Sequence, residues 1–401
     1  MSTSRQPELG LFVTAVVLTV IGLWMVLDTS YAQTLYNMHL AHDPFFFVKR
    51  QAIGAFIGFC VLGLLLYTDY RRLRVAAIPA LLVGIGLLIA VHLPHIGIRM
   101  NGAARWIHLG PLSFQPSEVA KLCLILYVAA RLSVPRIEGS KELTRSRRPK
   151  TVVSIEHLAP VFLLSLLYLM LIERQPDLGT AFVLFLTLLT QLFLAGVRKR
   201  HLLLFAGMIA FLVLITSLFG RAGGNRQERI LAFLHPQKDL QGIGYQIYHA
   251  RLAVGSGEWT GLGLGNGREK YYLPQADSDF VFATYAEETG LVGVCVLLLL
   301  FGIISWRGFA IARYTSDRFG ALLAAGLTAL ITWQAIVNVA VASDSIPATG
   351  VPLPFISYGS TSLVLMLAAI GLLMNIAHQA VLSKRPATEK ISSSPTWEGS
   401  P

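Results

Sequence analysis

Four acids stand where a polar loop runs into a long apolar stretch, YYLPQADSDFVFATYAEETGLVG over residues 271–293: Asp277 and Asp279 before it, Glu287 and Glu288 within it. A carboxylate near the centre of a bilayer costs about 2.5 to 3.5 kcal/mol on insertion scales, so acids in such a place are functional candidates. Asp279, at the junction itself, is the centre of the candidate site. The competing reading is that Asp277, Ser278 or Asp279 caps the helix that follows, and one of them is expected to do so. A cap needs no second acid beneath it, however, and Glu287 lies two turns further along, roughly 12 Å by helical rise.

Other polar residues enter apolar surroundings elsewhere. In QPSEVAK, over 115–121, Glu118 and Lys121 are three apart and share one face of a helix opened by Pro116 and Ser117. They are expected to pair or to line a wet cavity, with a structural salt bridge and a direct role both open. In ERQPDLG, over 173–179, Asp177 reads as the cap of the next helix. Pro347, Gly350, Pro352, Pro354 and Gly359 interrupt a hydrophobic stretch, the mark of irregular backbone lining a cavity. An anionic substrate would need cations, and Lys49, Arg50, Arg105, Arg221, Arg226, Arg251, Arg268 and Lys270 are the external candidates, unranked.

The elements that must position these residues are membrane helices. Of the 401 residues, 54% are hydrophobic and 14% charged, against about 25% charged in soluble proteins. Apolar runs predict about ten spans, at 11–28, 49–67, 75–93, 117–133, 157–173, 178–196, 201–219, 280–305, 320–342 and 360–382. The fold class is therefore all-α and polytopic, with a large extracytoplasmic loop over 220–279 between helices 7 and 8. The first run is longer than a signal-peptide core and reads as a retained span. The formal charge of +11 sits in short loops that fall on one side, so it sets orientation and argues against a nucleic-acid partner. Both termini are then cytoplasmic and Asp279 lies at the external mouth of the eighth span.

The domain reading is a transmembrane domain over 1–382 and a disordered cytoplasmic tail over 383–401; the inside loop 133–156 also reads as mobile. Within the external loop, 225–234 and 244–254 read as short amphipathic helices, and the glycines from Gly255 to Gly267 as tight turns. That glycine run has no preceding strand and no Walker lysine, which excludes a nucleotide site. Cys60, Cys123 and Cys295 lie in apolar runs as small core residues, without metal or disulfide spacing.

The segments NGAARWIHLGPLSFQPSEVAKL (101–122), ERQPDLGTA (173–181), GYQ (244–246), GLGLGNGREKYYLPQADSDFVFATYAEETG (261–290) and PATGVPLPFISYGSTS (347–362) resemble the SEDS family of FtsW, RodA and SpoVE, in order and over nearly the whole chain. The match is most like FtsW, on NGAARW and GNGREKYYLP. It departs from the family at Asp277, where many relatives have histidine, and at Ala104, His249, Ala250, Glu258 and Ser360. The resemblance implies a ten-span fold and a peptidoglycan glycosyltransferase that polymerises lipid II at the outer face of the cytoplasmic (inner) membrane during cell division. Asp279 matches the family's essential loop aspartate, Glu118 and Lys121 its intramembrane acid and lysine, Asp177 its Gln-Pro-Asp acid, and Arg105 its arginine-tryptophan motif. Lys270, Glu287 and Ser357 are carried as supporting residues.

The implied partners are a class B penicillin-binding protein, other divisome proteins and membrane lipid. The implied cofactor is a divalent cation, Mg²⁺ or Mn²⁺, for which Asp279 is the candidate ligand; without a His or Cys cluster, zinc is not expected. Three alternatives stand beside this one. A RodA-like elongation polymerase would serve cell shape, a lipid II flippase would use the buried charges as a path, and a non-catalytic scaffold would make Asp279 dispensable. Polar residues crowded toward the external side favour a surface enzyme over a path.

Overall fold

In hydrocarbon every backbone amide must be satisfied inside its own segment, so long apolar runs fold as helices. The computed structural model describes residues 6–36, 43, 45–93, 96–100, 103–109, 112–133, 155–219, 229, 231–233 and 242–383. Among them are α1 (Gln6–Tyr36), α2 (Phe46–Tyr67), α3 (Leu73–Ala90), α4 (Pro116–Leu132), α5 (Ile155–Glu173), α6 (Leu178–Leu194) and α7 (Lys199–Phe219). After the external loop's helix α8 (Ile243–Ser256) come α9 (Val281–Tyr314), α10 (Arg318–Ala342) and α11 (Ser360–Leu382). Setting α8 aside, these are the expected spans, with most ends displaced by a few residues, while α1 extends past both of its expected ends and α9 runs on to Tyr314, well past its expected end at 305. By length and apolarity, α1, α2, α3, α9, α10 and α11 are able to cross a membrane, while α5 and α6 are apolar but shorter.

The core is α10, buried along nearly its whole length, with α4, α6, α9 and α11 around it. Close approach is made by small residues, as in other membrane bundles. On α2, a Cβ at Gly54 would meet Ser360 at 2.7 Å, and one at Gly58 would meet Leu367 at 2.5 Å. Helix α11 therefore lies directly against α2.

Several features differ from the sequence reading. The segment between α3 and α4 is a three-stranded antiparallel sheet, β1 (Gly97–Met100), β2 (Ala103–Leu109) and β3 (Leu112–Phe114), in that order. Helix α9 is not continuous: Gly290, at φ 63 and ψ −167, breaks it into a buried half-helix and a long span. None of Asp277, Ser278 and Asp279 caps it. The cap position is Phe280, which makes no side-chain capping bond because its ring offers no acceptor. Cys60 and Cys295 are exposed on the outer surface of the bundle rather than in its core.

The expected helix over 244–254 is α8. That over 225–234 falls mostly outside the described residues, of which 229 and 231–233 are helical. The loop 133–156, the tail 383–401, Arg221 and Arg226 fall outside them almost wholly.

Candidate active site

Strand β2, the N-terminal ends of α4 and α11 and two irregular loops converge on a cavity of about 170 Å³ lined by Arg105, Trp106, Gln115, Glu118, Gln275, Ser278, Asp279, Gly350, Pro352, Tyr358, Gly359, Thr361 and Ser362. Asp279 sits in its wall, half-buried. A Cβ on Gly350, at φ +74, would lie 3.4 Å from its Oδ2, so the opposing wall is bare backbone. Burial pushes the Asp279 carboxyl up from 3.8 to about 6; the Asp277 and Asp177 charges add to this, and Arg105 and Arg229 oppose it. Asp277, one turn of loop earlier, is buried and its carboxyl is raised as well, by burial.

Each sequence-predicted residue has a definite place. Asp177 caps α6, accepting from Thr180 N at 3.2 Å, and takes a second bond from Gln115 Nε2 at 3.1 Å. Arg105 donates through Nε to Gln175 O at 2.9 Å and through Nη2 to Pro176 O, which joins β2 to the α6 cap. Glu118 and Lys121 form a fully buried ion pair at 2.7 Å. Lys121 also donates to Gln334 Oε1 at 2.9 Å, and Glu118 accepts from Ser362 Oγ at 3.1 Å. The pair is a salt bridge, and Glu118 also lines the cavity. Ser357 accepts from Leu353 N at 2.7 Å and donates to Ser278 O at 2.5 Å, so it shapes both loops without facing the cavity.

Two expectations are corrected. Glu287 is not a second acid of the site: its carboxylate accepts from Arg268 N at 2.7 Å and Glu269 N at 3.2 Å, steadying the glycine-rich loop. Lys270 is not a free cation either. Its Nζ donates to Asp28 Oδ1 at 2.5 Å, Glu288 Oε1 at 2.9 Å and Gly265 O at 2.9 Å. Both side chains are taken up by partners distant in sequence, which no periodicity could reveal.

Of the other external cations, Lys49 pairs with Asp43 and Arg251 with Asp344. Arg229 was missed by sequence reasoning, since nothing in the sequence separates it from Arg221 and Arg226. It donates to Ala348 O at 3.0 Å, and its charge bears on Asp279 and Asp177. It also borders a second, apolar cavity of about 430 Å³ between α5, α6 and α7, lined by Leu169, Phe182, Phe185, Ile209 and Leu212 among others. Arg229 thus lines the apolar cavity while its charge reaches Asp279 and Asp177.

The arrangement sets a recessed carboxyl within the electrostatic reach of two guanidinium groups, Arg105 and Arg229, the second of which lines an apolar cavity. Over residues 9–382 the chain matches the model of the FtsW, RodA and SpoVE family, described as cell cycle protein. The chain belongs to that family. It is 36% identical to stage V sporulation protein E of Bacillus subtilis over 381 residues, 94% of this chain and 99% of that one. It is 37% identical to a probable peptidoglycan glycosyltransferase FtsW of Geobacter sulfurreducens over 371 residues, covering 92% and 95%.

Among solved structures, the fold resembles a chain of a peptidoglycan synthase complex in which polymerization and crosslinking are coordinated. The TM-score there is 0.71 at 29% identity, covering 92% of this chain and 97% of that chain. It also resembles the rod shape determining protein RodA of Thermus thermophilus, with TM-score 0.65 at 28% identity, covering 92% and 96%. The ten-helix family fold and the integral membrane character expected from the sequence both stand.

Proposed function

We infer that the chain is a peptidoglycan glycosyltransferase that polymerises lipid II at the outer face of the cytoplasmic membrane, with both termini inside and Asp279 as general base. The observation that carries this reading is the Asp279 carboxylate, alone against bare backbone, with Arg105 and Arg229 beside it. The 4-hydroxyl oxygen of one sugar attacks the anomeric carbon of the next. The bond from that carbon to the diphosphate breaks with inversion, undecaprenyl diphosphate departs with the electron pair, and the hydroxyl proton passes to Asp279. A base with a value near 6 is ionised at neutral pH yet holds a proton better than an ordinary carboxylate, which suits the transfer.

The diphosphate develops negative charge, and Arg105 and Arg229 are placed to neutralise it. The polyprenyl arm then has the apolar slot beside Arg229 to lie in. No group of three or more His, Cys, Asp or Glu side chains set to cage a metal occurs among the described residues. A Mg²⁺-type ion fits nonetheless, since such ions take one or two carboxylates and fill their remaining positions with water and substrate phosphate. Asp279 would hold it, and it would supply further neutralisation of the leaving group.

FtsW-like sequence motifs favour service in division, at the septum, with a class B penicillin-binding protein and other divisome proteins as partners. The likeness to a chain of a synthase complex supports a transpeptidase partner. The test is to purify the chain with its cognate class B protein, supply labelled lipid II and divalent metal, and compare wild type with Asp279→Asn. A positioned base contributes about 10² to 10⁴ in rate, or about 2.7 to 5.4 kcal/mol. Chains from wild type alone support the reading. Equal chains from both remove Asp279 as the base, and none from either in a folded complex favours transport or scaffolding.

A further inference from the structure

Helix α9 begins at Val281, so the carbonyls of the three residues 277–279 lie ahead of its hydrogen-bond ladder and need partners from elsewhere. Each has one. Asp277 O accepts from Tyr358 N at 2.8 Å, Ser278 O from Ser357 Oγ at 2.5 Å, and Asp279 O from Asn338 Nδ2 at 2.9 Å. The segment is gripped by its backbone, and the Asp279 side chain is left free of capping duty.

Asn338 is the unusual member of this set. It is fully buried in α10, and its second amide hydrogen goes to Val351 O at 2.7 Å. One planar group thus holds the backbone of the base and the backbone of the opposite wall, one residue beyond Gly350. Its orientation is fixed by chemistry, because a flipped amide would set Oδ1 against two carbonyls. Both acceptors are main-chain atoms, so the requirement falls on position 338 alone: two donors on a short, flat side chain. Asp and Leu offer none, Ser offers one, and Gln carries the same amide one methylene further out.

We propose that Asn338 is a positioning residue, whose carboxamide sets the separation between Asp279 and the Gly350–Val351 wall and so the reach of the base to its substrate. Gln51 and Gln334 extend the same principle to the rest of the wall. Gln51 donates to Ser357 O at 3.1 Å and accepts from Gly359 N at 3.1 Å, and Gln334 donates to Pro352 O at 3.1 Å. Asn338 alone of the three bridges both loops.

The proposal rests on the polymerase reading, and two measurements keep their failures apart. The first is lipid II polymerisation by the complex with its class B partner, for wild type, Asn338→Gln and Asn338→Leu. Misplacing a reacting group by about 1 Å costs on the order of 10²-fold, so kcat is expected to fall about 30-fold or more in both variants with KM changed by less than about threefold. The second is the rate at which a water-soluble carbodiimide labels Asp279, read by mass spectrometry without any turnover, which is expected to change at least threefold in both variants. A folded variant with wild-type kcat and wild-type labelling overturns the proposal. Loss of fold in both variants does so too, since Asn338 would then be structural only. Altered labelling in a chain whose wild type makes no polymer would keep the positioning role and remove the polymerase reading.

Discussion

Asp279 shows how a single carboxyl can be costly to the fold and useful to the reaction. Its surroundings disfavour the anion, and the value rises from 3.8 to about 6. As a base it must be ionised, so polymerisation should fall tenfold per pH unit below about 6 and be flat above, an acidic limb that a pH profile of kcat would show. For stability the sign is opposite. A carboxyl raised in the folded state favours folding when protonated, and that contribution is lost as pH rises through about 6. Asp279→Asn should accordingly unfold at higher temperature than wild type at pH 8, by about 1 to 3 kcal/mol, with the gain gone below about pH 4. Thermal unfolding in detergent at the two pH values checks it, and a variant destabilised at pH 8 would refute it. This residue was legible in the sequence because an acid at a polar-to-apolar junction is rare. Arg229 was not, because an arginine in an amphipathic stretch looks like any solvated one until the fold turns it toward the site.

The half-helix of α9 is held by exchange with the glycine-rich loop. Where Gly290 breaks the helix, Leu291 N and Val292 N take Glu258 O and Trp259 O, while Glu287 O and Glu288 O accept from Leu262 N and Gly263 N. Gly290 requires its positive φ, and a Cβ there would sit 2.3 Å from Gly261 N. Gly290→Ala should therefore cost more than about 3 kcal/mol and loosen the loop that carries Lys270, measurable as faster amide exchange over 258–270. Lys270 ties this loop to α1 and α9 through Asp28 and Glu288, with little exposure of any of the three. Removing one partner of a buried ionic set leaves charge uncompensated, so Lys270→Met should cost about 3 to 5 kcal/mol, and adding Asp28→Asn with Glu288→Gln should recover most of it. No recovery in the triple variant would show that the lysine's reach, not its charge, is what the loop needs. Helix positions were readable to within a few residues because apolar runs have no other folded form in lipid. The break in α9 and the sheet between α3 and α4 were not, since both depend on backbone groups that only tertiary contacts satisfy.

Across the whole molecule the polar groups stop short of a path. Inward of Lys121, α4 buries Leu124, Ile125, Val128, Ala129 and Leu132, and facing α10 buries Leu330, Leu327 and Leu323. Gln191, deeper still, donates to Ile125 O at 3.1 Å and Leu322 O at 3.2 Å, and the hydroxyls of Thr187 and Thr328 bond back to their own helices. These donors are consumed in packing, and among the described residues the bundle beyond the cavity is plugged mainly by apolar side chains. A plugged bundle with its cavity at one end works on a substrate presented at that end, so the orientation of the chain decides which side its chemistry serves. On our proposed orientation, with the short basic loops inside, that cavity faces outward. An impermeant maleimide should then label Trp259→Cys in intact cells, since Trp259 is 72% exposed on the cavity side, and should reach Arg313→Cys only after permeabilisation. The native Cys60 and Cys295, on lipid-facing helix surfaces, should stay unlabelled in both conditions and give a clean background. Labelling of Arg313→Cys from outside would invert the chain, put Asp279 in the cytoplasm, and leave an external glycan polymerase without a site.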